Sequence, residues 1–220
     1  MTDPCQIYLL TPPVIDDVPA FCELLESTLK AAPVACLQIR LKTLENSALI
    51  QAGKAITAVC HAHNVEVILN DHPDLVADIG ADGAHIGQED MDYFSSREVL
   101  GGDAIIGVTC HNSKELAFAA AKAGADYVAF GAFFDTPTKT PPNGGKMIRA
   151  DLEILSWWHE AVEIPSVAIG GITVENAQGP IAAGADFIAV SSGVWAHPDG
   201  PAAAVSRLSQ LCSQFSPPSP

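Results

Sequence analysis

An amide and two cationic side chains alternate within one short segment of the chain, Gln38-Ile39-Arg40-Leu41-Lys42. Alternate residues of an extended strand point to the same side, so Gln38, Arg40 and Lys42 are predicted to share one side. Two cations and an amide that converge in this way suit a phosphate or diphosphate group. The chain holds only 11 Lys and Arg against 26 Asp and Glu, so we favour a binding role over a solvated strand end.

Carboxylates follow the next two apolar segments of the sequence. Asn70-Asp71 ends one of these segments, and Gly87-Gln88-Glu89-Asp90 follows the other. Mg²⁺ is usually held by one or two protein carboxylates together with the phosphate oxygens of a substrate. The pair Asp71 and Asp90 therefore predicts a magnesium site. The alternative is that these residues only cap the helices that come after them.

Hydroxyl groups, glycines and one further lysine follow the remaining apolar segments. The stretch 133–146 has neither helix nor strand character, which is typical of a binding loop, and it contains Thr136, Thr138 and Lys139. Backbone N–H groups beside glycines can approach a phosphate closely. The predicted phosphate ligands outside that loop are Thr109, Gly170, Gly171, Ser191 and Ser192.

The segments that carry these side chains follow eight short β-branched or apolar runs, which we interpret as strands. The predicted strands are Gln6–Leu10, Ala35–Arg40, Val65–Asn70, Gly83–Ile86, Ile105–Thr109, Tyr127–Gly131, Ser166–Ile169 and Phe187–Val190. Segments with helical spacing separate them, at Val18–Lys30, Leu44–His63, Pro73–Ile79, Ser95–Leu100, Ser113–Ala123, Ala150–Glu160, Val174–Ala183 and Pro201–Cys212. Apolar strands that alternate with helices indicate a parallel sheet covered on both faces.

A repeated tripeptide indicates how this sheet is organised. Gly-Ala-Asp occurs at 80–82, 124–126 and 184–186, and each copy ends a predicted helix and opens a predicted strand. Eight strand–helix units in 220 residues favour an α/β fold of the (β/α)₈ TIM-barrel type over an open doubly wound sheet. A barrel places catalytic residues at the carboxyl ends of its strands. The three aspartates lie at the opposite ends and are predicted to be structural.

Length and charge limit the number of domains and the kinds of partner. We expect one barrel domain over residues 1–215 and a disordered tail over 216–220. The net charge of −15 argues against nucleic-acid and membrane binding, because both need a basic face. No apolar run reaches the roughly 18–20 residues of a membrane span, and the first residues carry no basic signal segment. Six scattered cysteines, with Cys110 expected as a buried small residue, favour a reducing cytoplasm.

The order and spacing of these motifs resemble those of the thiamine phosphate synthase family, from about Tyr8 to about Trp195. The motifs that carry the resemblance are Gln38-x-Arg40-x-Lys42, Asn70-Asp71, His85-Ile86-Gly87-Gln88-Glu89-Asp90, Gly107-Val108-Thr109-Cys110-His111, Thr136-x-Thr138-Lys139, Ala168-Ile169-Gly170-Gly171-Ile172 and Val190-Ser191-Ser192. The resemblance implies a (β/α)₈-barrel transferase that joins hydroxymethylpyrimidine diphosphate to hydroxyethylthiazole phosphate with Mg²⁺. It implies that the departure of pyrophosphate generates a ring-stabilised methylene cation. The thiazole nitrogen then forms a bond to this cation.

The resemblance also implies a role for each matching residue. The pyrimidine diphosphate would contact Gln38, Arg40, Lys42 and Asn70, with Thr109 in place of the family's usual serine. Mg²⁺ would be held by Asp71 and Asp90, and Lys139 would contact the pyrophosphate, so that Lys139, Arg40 and Lys42 are the catalytic cations. The thiazole phosphate would contact Thr136, Thr138, Gly170 or Gly171, Ser191 and Ser192.

The chain departs from the family pattern at three places, none of which removes a proposed ligand, and two alternatives to the synthase stay open. The family often has Arg at His72 and an acidic residue at Leu41, and the proline usually found in the Thr136 motif is displaced. The nearest alternative is a thiazole tautomerase, a paralogue that would use His111 as its acid–base group. The other is a phosphate-ligand binding barrel without catalysis. The sequence leaves the oligomeric state open, and a homodimer is compatible with it.

Overall fold

Eight parallel strands close into a barrel in which each strand pairs with the next along the chain and the last pairs with the first. The structure is a computed structural model, and it describes residues 4–135 and 149–217. The strands are β1 (Gln6–Leu10), β2 (Cys36–Ile39), β3 (Glu66–Asn70), β4 (Gly83–Ile86), β5 (Ile105–His111), β6 (Tyr127–Gly131), β7 (Ser166–Ile169) and β8 (Phe187–Val190). The predicted (β/α)₈ barrel is confirmed, and an open sheet is excluded.

Helices follow the strands at the places that the spacing predicts. They are α1 (Val18–Leu29), α2 (Asn46–Ala62), α3 (Val76–Ile79) after a 3₁₀ turn at Pro73–Leu75, α4 (Tyr93–Leu100), α5 (Lys114–Ala123), α6 (Glu153–Ala161), α7 (Gln178–Ala182), α8 (Ser192–Trp195) and α9 (Pro201–Phe215). Side chains start several of them: Asp17, Asp92 and Ser113 accept N–H bonds in the first turns of α1, α4 and α5.

Two predictions about the helices are wrong. The predicted helix Val174–Ala183 contracts to α7, because Asn176 folds the residues before it into a turn. Its Oδ1 accepts the N–H of Thr173 at 2.8 Å, and its Nδ2 donates to the carbonyl of Gly171 at 2.9 Å. The second error is an omission, since the short helix α8 directly after β8 was not predicted.

Alternation along the strands divides the apolar core into two layers. Ile7 and Leu9 of β1 pack in the large layer between the barrel and its helices, whereas Tyr8 and Leu10 lie in the small layer inside the barrel. The same alternation in β2 places Leu37 in the outer layer. Lumen-facing positions at the carboxyl ends of the strands are therefore the ones that can reach a ligand at the mouth of the barrel.

The three repeated aspartates tie neighbouring strands together at the amino end of the barrel. Each carboxylate accepts a backbone N–H from the strand beside its own, with an N–O distance of 2.7 Å in all three cases. The donors are Val67 for Asp82, Ile106 for Asp126 and Ser166 for Asp186. The prediction that these aspartates are structural is confirmed.

Replacing Asp186 with alanine should destabilise the barrel by about 2–3 kcal/mol, because a charged acceptor is removed from buried donors. Ser166 is fully buried, and it donates both its backbone N–H and its hydroxyl to the Asp186 carboxylate. Urea unfolding measures the loss. The matched control is Asp199→Ala, which removes an exposed ion pair with Arg207 and should change the free energy of unfolding by less than about 1 kcal/mol. Equal losses in the two variants would contradict the structural role of Asp186.

The cysteines are unpaired thiols, and the helices are short. All six cysteines are free. Cys110 is buried, and burial raises its pKa to about 12, so it remains a protonated thiol at neutral pH. Within residues 4–135 and 149–217, none of the helices is at once long and apolar enough to cross a lipid bilayer.

Candidate active site

Two adjoining cavities open at the carboxyl ends of the strands. The larger one has a volume of about 360 Å³ and lies over β2 to β5. The smaller one, of about 60 Å³, lies where β7, β8 and β1 end. Arg40 and Ile169 line both cavities, so the two share a wall. Residues predicted to bind phosphate and metal line the larger cavity: Gln38, Arg40, Lys42, Asn70, Asp71, Asp90 and Thr109.

The end of β2 presents the amide and the two cations to the larger cavity. Gln38 is buried, and its Nε2 donates to the Tyr8 hydroxyl at 2.9 Å. Burial lowers the pKa of Arg40, and the nearby Asp71 carboxylate opposes this shift, so the guanidinium stays charged at neutral pH. Lys42 is half-exposed, and its Nζ lies 2.6 Å from Oδ2 of Asp71. The two cations therefore lie at different depths. Arg40 is half-buried, and Lys42 lies nearer the open mouth of the barrel.

The two predicted metal ligands lie in direct contact. Asp71 follows β3 in the left-handed conformation, with φ of 65°. Burial acts to raise the pKa of Asp71, but Lys42, Asp90 and Arg40 outweigh it and the net pKa is lowered. Partial desolvation and the hydrogen bond to Asp71 raise the pKa of Asp90. Two carboxylates this close need a proton or a cation between them.

Asp71 and Asp90 do not cap the helical segments that follow them. Helix α4 is capped by Asp92, whose Oδ1 accepts the N–H groups of Phe94 and Ser95. Asp90 instead accepts the N–H of Gly87 at 2.7 Å and closes the turn after β4. In the part of the chain that the structure describes, no three His, Cys, Asp or Glu side chains converge on a common point. Two carboxylates without further protein ligands fit Mg²⁺, which takes its remaining ligands from water and substrate oxygens.

A buried polar layer crosses the barrel beneath the larger cavity, and sequence analysis did not predict it. The Tyr8 and Tyr127 hydroxyls lie 2.9 Å apart. Nδ1 of His85 lies 2.9 Å from the Tyr127 hydroxyl, and its Nε2 lies 2.7 Å from Oγ1 of Thr109. Burial raises the pKa of both tyrosines well above the ordinary value, so both are neutral. This layer connects Gln38 to Thr109 and forms the base of the larger cavity.

The layer depends on the missing side chain of Gly107 in β5. A Cβ atom at Gly107 would collide with the ring of Tyr127. Gly107 pairs with Tyr127 across β5 and β6, and its missing side chain gives the ring room to reach His85. Large lumen-facing residues on β1 and β6 were the signal that could have revealed this layer.

The smaller cavity is lined by the glycines after β7 and the serines after β8, together with Arg40 and apolar side chains. Gly170 and Gly171 have φ of 104° and 66°, and Cβ atoms there would meet Ala132 and the backbone of Asp135 respectively. Only glycine fits both the conformation and the space. Ser191 and Ser192, at the start of α8, line the same cavity. The four residues predicted for a phosphate therefore line one small, open cavity.

The loop residues of the prediction lie outside the described residues. These are Thr136, Thr138 and Lys139. An ion pair between Asp135 and Arg149 joins the described chain on either side of them. The Ala150 N–H also donates to the Ala132 carbonyl at 3.0 Å. Both contacts bring the two ends of that loop together beside Gly170 and Gly171.

His111 ends β5 at a point where the strand ladder is irregular. It lines the larger cavity with φ of 51°, and the pairing with β6 shifts register between Thr109 and His111. Cys110 is the extra residue of this bulge. Strand β5 consequently extends two residues beyond its predicted end and aims His111 at the mouth of the barrel.

This fold and this set of side chains define the class of protein, a (β/α)₈-barrel enzyme equipped for phosphate chemistry. Comparison with known proteins places it more narrowly. Residues 7–194 match the family model described as thiamine monophosphate synthase. The chain is 52% identical over 211 residues to the thiamine-phosphate synthase of Rhodospirillum centenum, covering 96% of this chain and 99% of that protein. It is 49% identical to the thiamine-phosphate synthase of Hyphomonas neptunium, covering 96% and 98%.

Solved structures agree with these relatives. The thiamine phosphate pyrophosphorylase of Pyrococcus furiosus superposes with a TM-score of 0.82 at 28% identity, over 96% of each chain. A 3-hexulose-6-phosphate synthase superposes with a TM-score of 0.63 at 20% identity, over 92% of this chain and 98% of that one, which shows a shared barrel fold alone. The chain belongs to the thiamine phosphate synthase family and is a transferase.

Proposed function

We propose that this protein joins hydroxymethylpyrimidine diphosphate to hydroxyethylthiazole phosphate, with Mg²⁺, and releases thiamine phosphate and pyrophosphate. The observation that carries the proposal is the pair of adjoining cavities with Arg40 in their common wall. One cavity has cations and paired carboxylates, which suit a diphosphate with its metal. The other has glycines and serines, which suit a single phosphate. A transferase that joins two phosphorylated substrates needs both kinds of cavity side by side.

The larger cavity would hold the pyrimidine diphosphate. Arg40 and Lys42 supply charge to the diphosphate, and Gln38, Asn70 and Thr109 supply hydrogen bonds. Nδ2 of Asn70 is buried and has no hydrogen-bond partner among the described residues. A buried donor of this kind is costly unless a ligand satisfies it. Asn70 is therefore well suited to contact the bound substrate.

Asp71 and Asp90 would hold Mg²⁺. When bound, this ion would neutralise the charge that develops on the departing diphosphate. Lys42 forms an ion pair with Asp71, so it can keep that carboxylate in place whether or not the ion is present. The contact between the two carboxylates supports this assignment, because a bound cation removes their mutual repulsion.

The reaction proposed here breaks the bond between the pyrimidine methylene carbon and the diphosphate oxygen. The electron pair leaves with pyrophosphate, and the ring stabilises the methylene cation. The thiazole nitrogen then donates its electron pair and forms the new carbon–nitrogen bond. Such a reaction depends on charge neutralisation and positioning, which the cations and the two adjoining cavities would supply.

The remaining predicted residues would complete the two sites. Gly170 or Gly171, Ser191 and Ser192 would hold the thiazole phosphate in the smaller cavity. We assign Thr136 and Thr138 to the same phosphate, and Lys139 to the departing pyrophosphate as a third catalytic cation. The position of Asp135 supports this assignment, because this last described residue before Thr136 lies against Gly171 and pairs with Arg149.

Direct turnover tests the proposed function. The protein is mixed with both substrates and Mg²⁺, and thiamine phosphate is detected by mass, with an EDTA-treated sample as control. Product that requires the metal is the expected result. Folded protein that binds the thiazole phosphate without forming product would contradict the proposal. That outcome would favour a tautomerase acting through His111, which does not need the cations and carboxylates of the larger cavity.

A further inference from the structure

The first strand ends on a buried threonine that contacts both neighbouring strands. Thr11 is 2% exposed and lies directly after β1. Its N–H donates to the carbonyl of Gln38 at 3.0 Å, and its Oγ1 accepts the backbone N–H of Arg40 at 3.0 Å. On the other side, its carbonyl accepts the hydroxyl of Ser191 at 3.0 Å. One residue therefore bonds to a lining residue of each cavity.

A tryptophan reinforces the contact with β8. Nε1 of Trp195, at the end of α8, donates to the carbonyl of Leu10 at 2.6 Å. The Trp195 ring packs against Phe21 with centroids 5.1 Å apart. The last two carbonyls of this segment, those of Leu10 and Thr11, are thus both bonded to the β8–α8 turn. Hydrogen bonds therefore tie the end of β1 both to the end of β2 and to the β8–α8 segment.

We propose that Thr11 is a positioning residue that sets the separation between the two substrate sites. The inference rests on the proposed function. It deepens that function by naming the residue that holds Arg40 and Ser191 at a fixed separation. Bond formation between two substrates requires their reacting atoms to lie about 3–3.5 Å apart with the correct alignment. Each substrate is held by its own cavity. The fixed distance between the cavities consequently decides whether the bound molecules can react.

Among residues 4–135 and 149–217, the Thr11 hydroxyl is the one side-chain group that accepts the Arg40 N–H. Arg40 lies just beyond the end of β2, so its N–H is bonded to a side chain rather than to a strand carbonyl. Valine has the shape of threonine but lacks this acceptor. Thr11→Val would keep the bonds made by the Thr11 backbone and release only the Arg40 end of the connection. Serine would keep the acceptor and lose only a methyl group.

Steady-state kinetics of three variants tests the inference. Thr11→Val should lower kcat about tenfold or more, with smaller changes in both KM values, because misplaced substrates still bind. Thr11→Ser should recover most of the kcat. The matched control is Thr28→Val, since Thr28 is also fully buried and bonds to a backbone carbonyl, that of Leu24, but lies in α1 away from both cavities. It should leave kcat unchanged.

Three results would overturn the inference: a wild-type kcat in Thr11→Val, equal losses in the valine and serine variants, or an equal loss in Thr28→Val. Failure of the proposed function is separate, because it appears as absence of product with the unmodified protein. In that case calorimetric titration with inorganic pyrophosphate decides. Thr11→Val should bind pyrophosphate more weakly than the unmodified protein, since Arg40 is less well held. Equal affinity, or no binding by either protein, would overturn the inference.

Discussion

Asp90→Ala should lower the rate of thiamine phosphate formation by at least about 100-fold at ordinary Mg²⁺ concentrations, because it removes a proposed metal ligand. Asp90 and Asp71 are in contact at the mouth of the larger cavity, and only these two carboxylates are proposed to hold the ion. With one of them gone, Mg²⁺ would depend on a single carboxylate and the substrate. The loss should appear in kcat and in the Mg²⁺ concentration required for half-maximal rate.

The control for Asp90 must separate loss of a ligand from loss of negative charge. Asp103 is exposed in the turn before β5, and it does not line either cavity. Asp103→Ala removes the same charge and should keep the unmodified rate and Mg²⁺ dependence. Titration with Mn²⁺, followed by its magnetic resonance signal, gives a readout that does not require turnover. Full activity of Asp90→Ala at low Mg²⁺ would refute the metal assignment.

Arg40→Gln is expected to reduce kcat/KM for the pyrimidine diphosphate by about 10²–10³-fold, the range found when a preorganised electrostatic group is removed. The Arg40 guanidinium is half-buried between the two cavities, and Asp71 helps to keep it charged. Because it lines the smaller cavity too, the KM for the thiazole phosphate should also rise. Arg40→Lys should recover only part of the activity, because an ammonium cannot make two parallel hydrogen bonds.

Arg207→Gln is the matched control for Arg40. Arg207 is half-exposed on α9 and pairs with Asp199 at 2.8 Å. Its loss changes net charge by the same amount but touches neither cavity, so both kinetic constants should stay near those of the unmodified protein. An unchanged KM for the thiazole phosphate in Arg40→Gln would show that Arg40 serves the larger cavity alone. Unchanged kinetics for both substrates would remove it from the site.

Local pattern was sufficient to predict the barrel and the segments that carry the site. The strands β1, β4, β6, β7 and β8 begin and end at the predicted residues. A parallel strand that is buried on both faces appears in the sequence as one continuous run of apolar residues. The alternation at Gln38, Arg40 and Lys42 likewise predicts one shared side, since the side-chain period of a strand is two. The contacting pair Asp71 and Asp90 was expected for a similar reason, since adjacent strand ends meet at the mouth of a barrel.

Contacts that depend on the register between strands were not predictable in this way. Thr11 follows a strand end to which no chemistry was assigned, and nothing in its neighbourhood along the chain reveals its bonds to Arg40 and Ser191. The layer through Tyr8, Tyr127 and His85 is likewise assembled from three separate strands. In a barrel the stagger of each strand against the next decides which side chains meet, and that stagger is a property of the closed sheet.

By itself, therefore, the sequence determined the order of the elements, the barrel and the set of charged residues at its mouth. Those features follow from residue type and spacing within single segments. The closed barrel shows in addition that the predicted site residues line two cavities, that Arg40 lines both, and that the end of β1 is bonded to residues of each. The physical reason is that each of these contacts links residues far apart along the chain, and closure of the eight-stranded sheet is what brings them within hydrogen-bond distance.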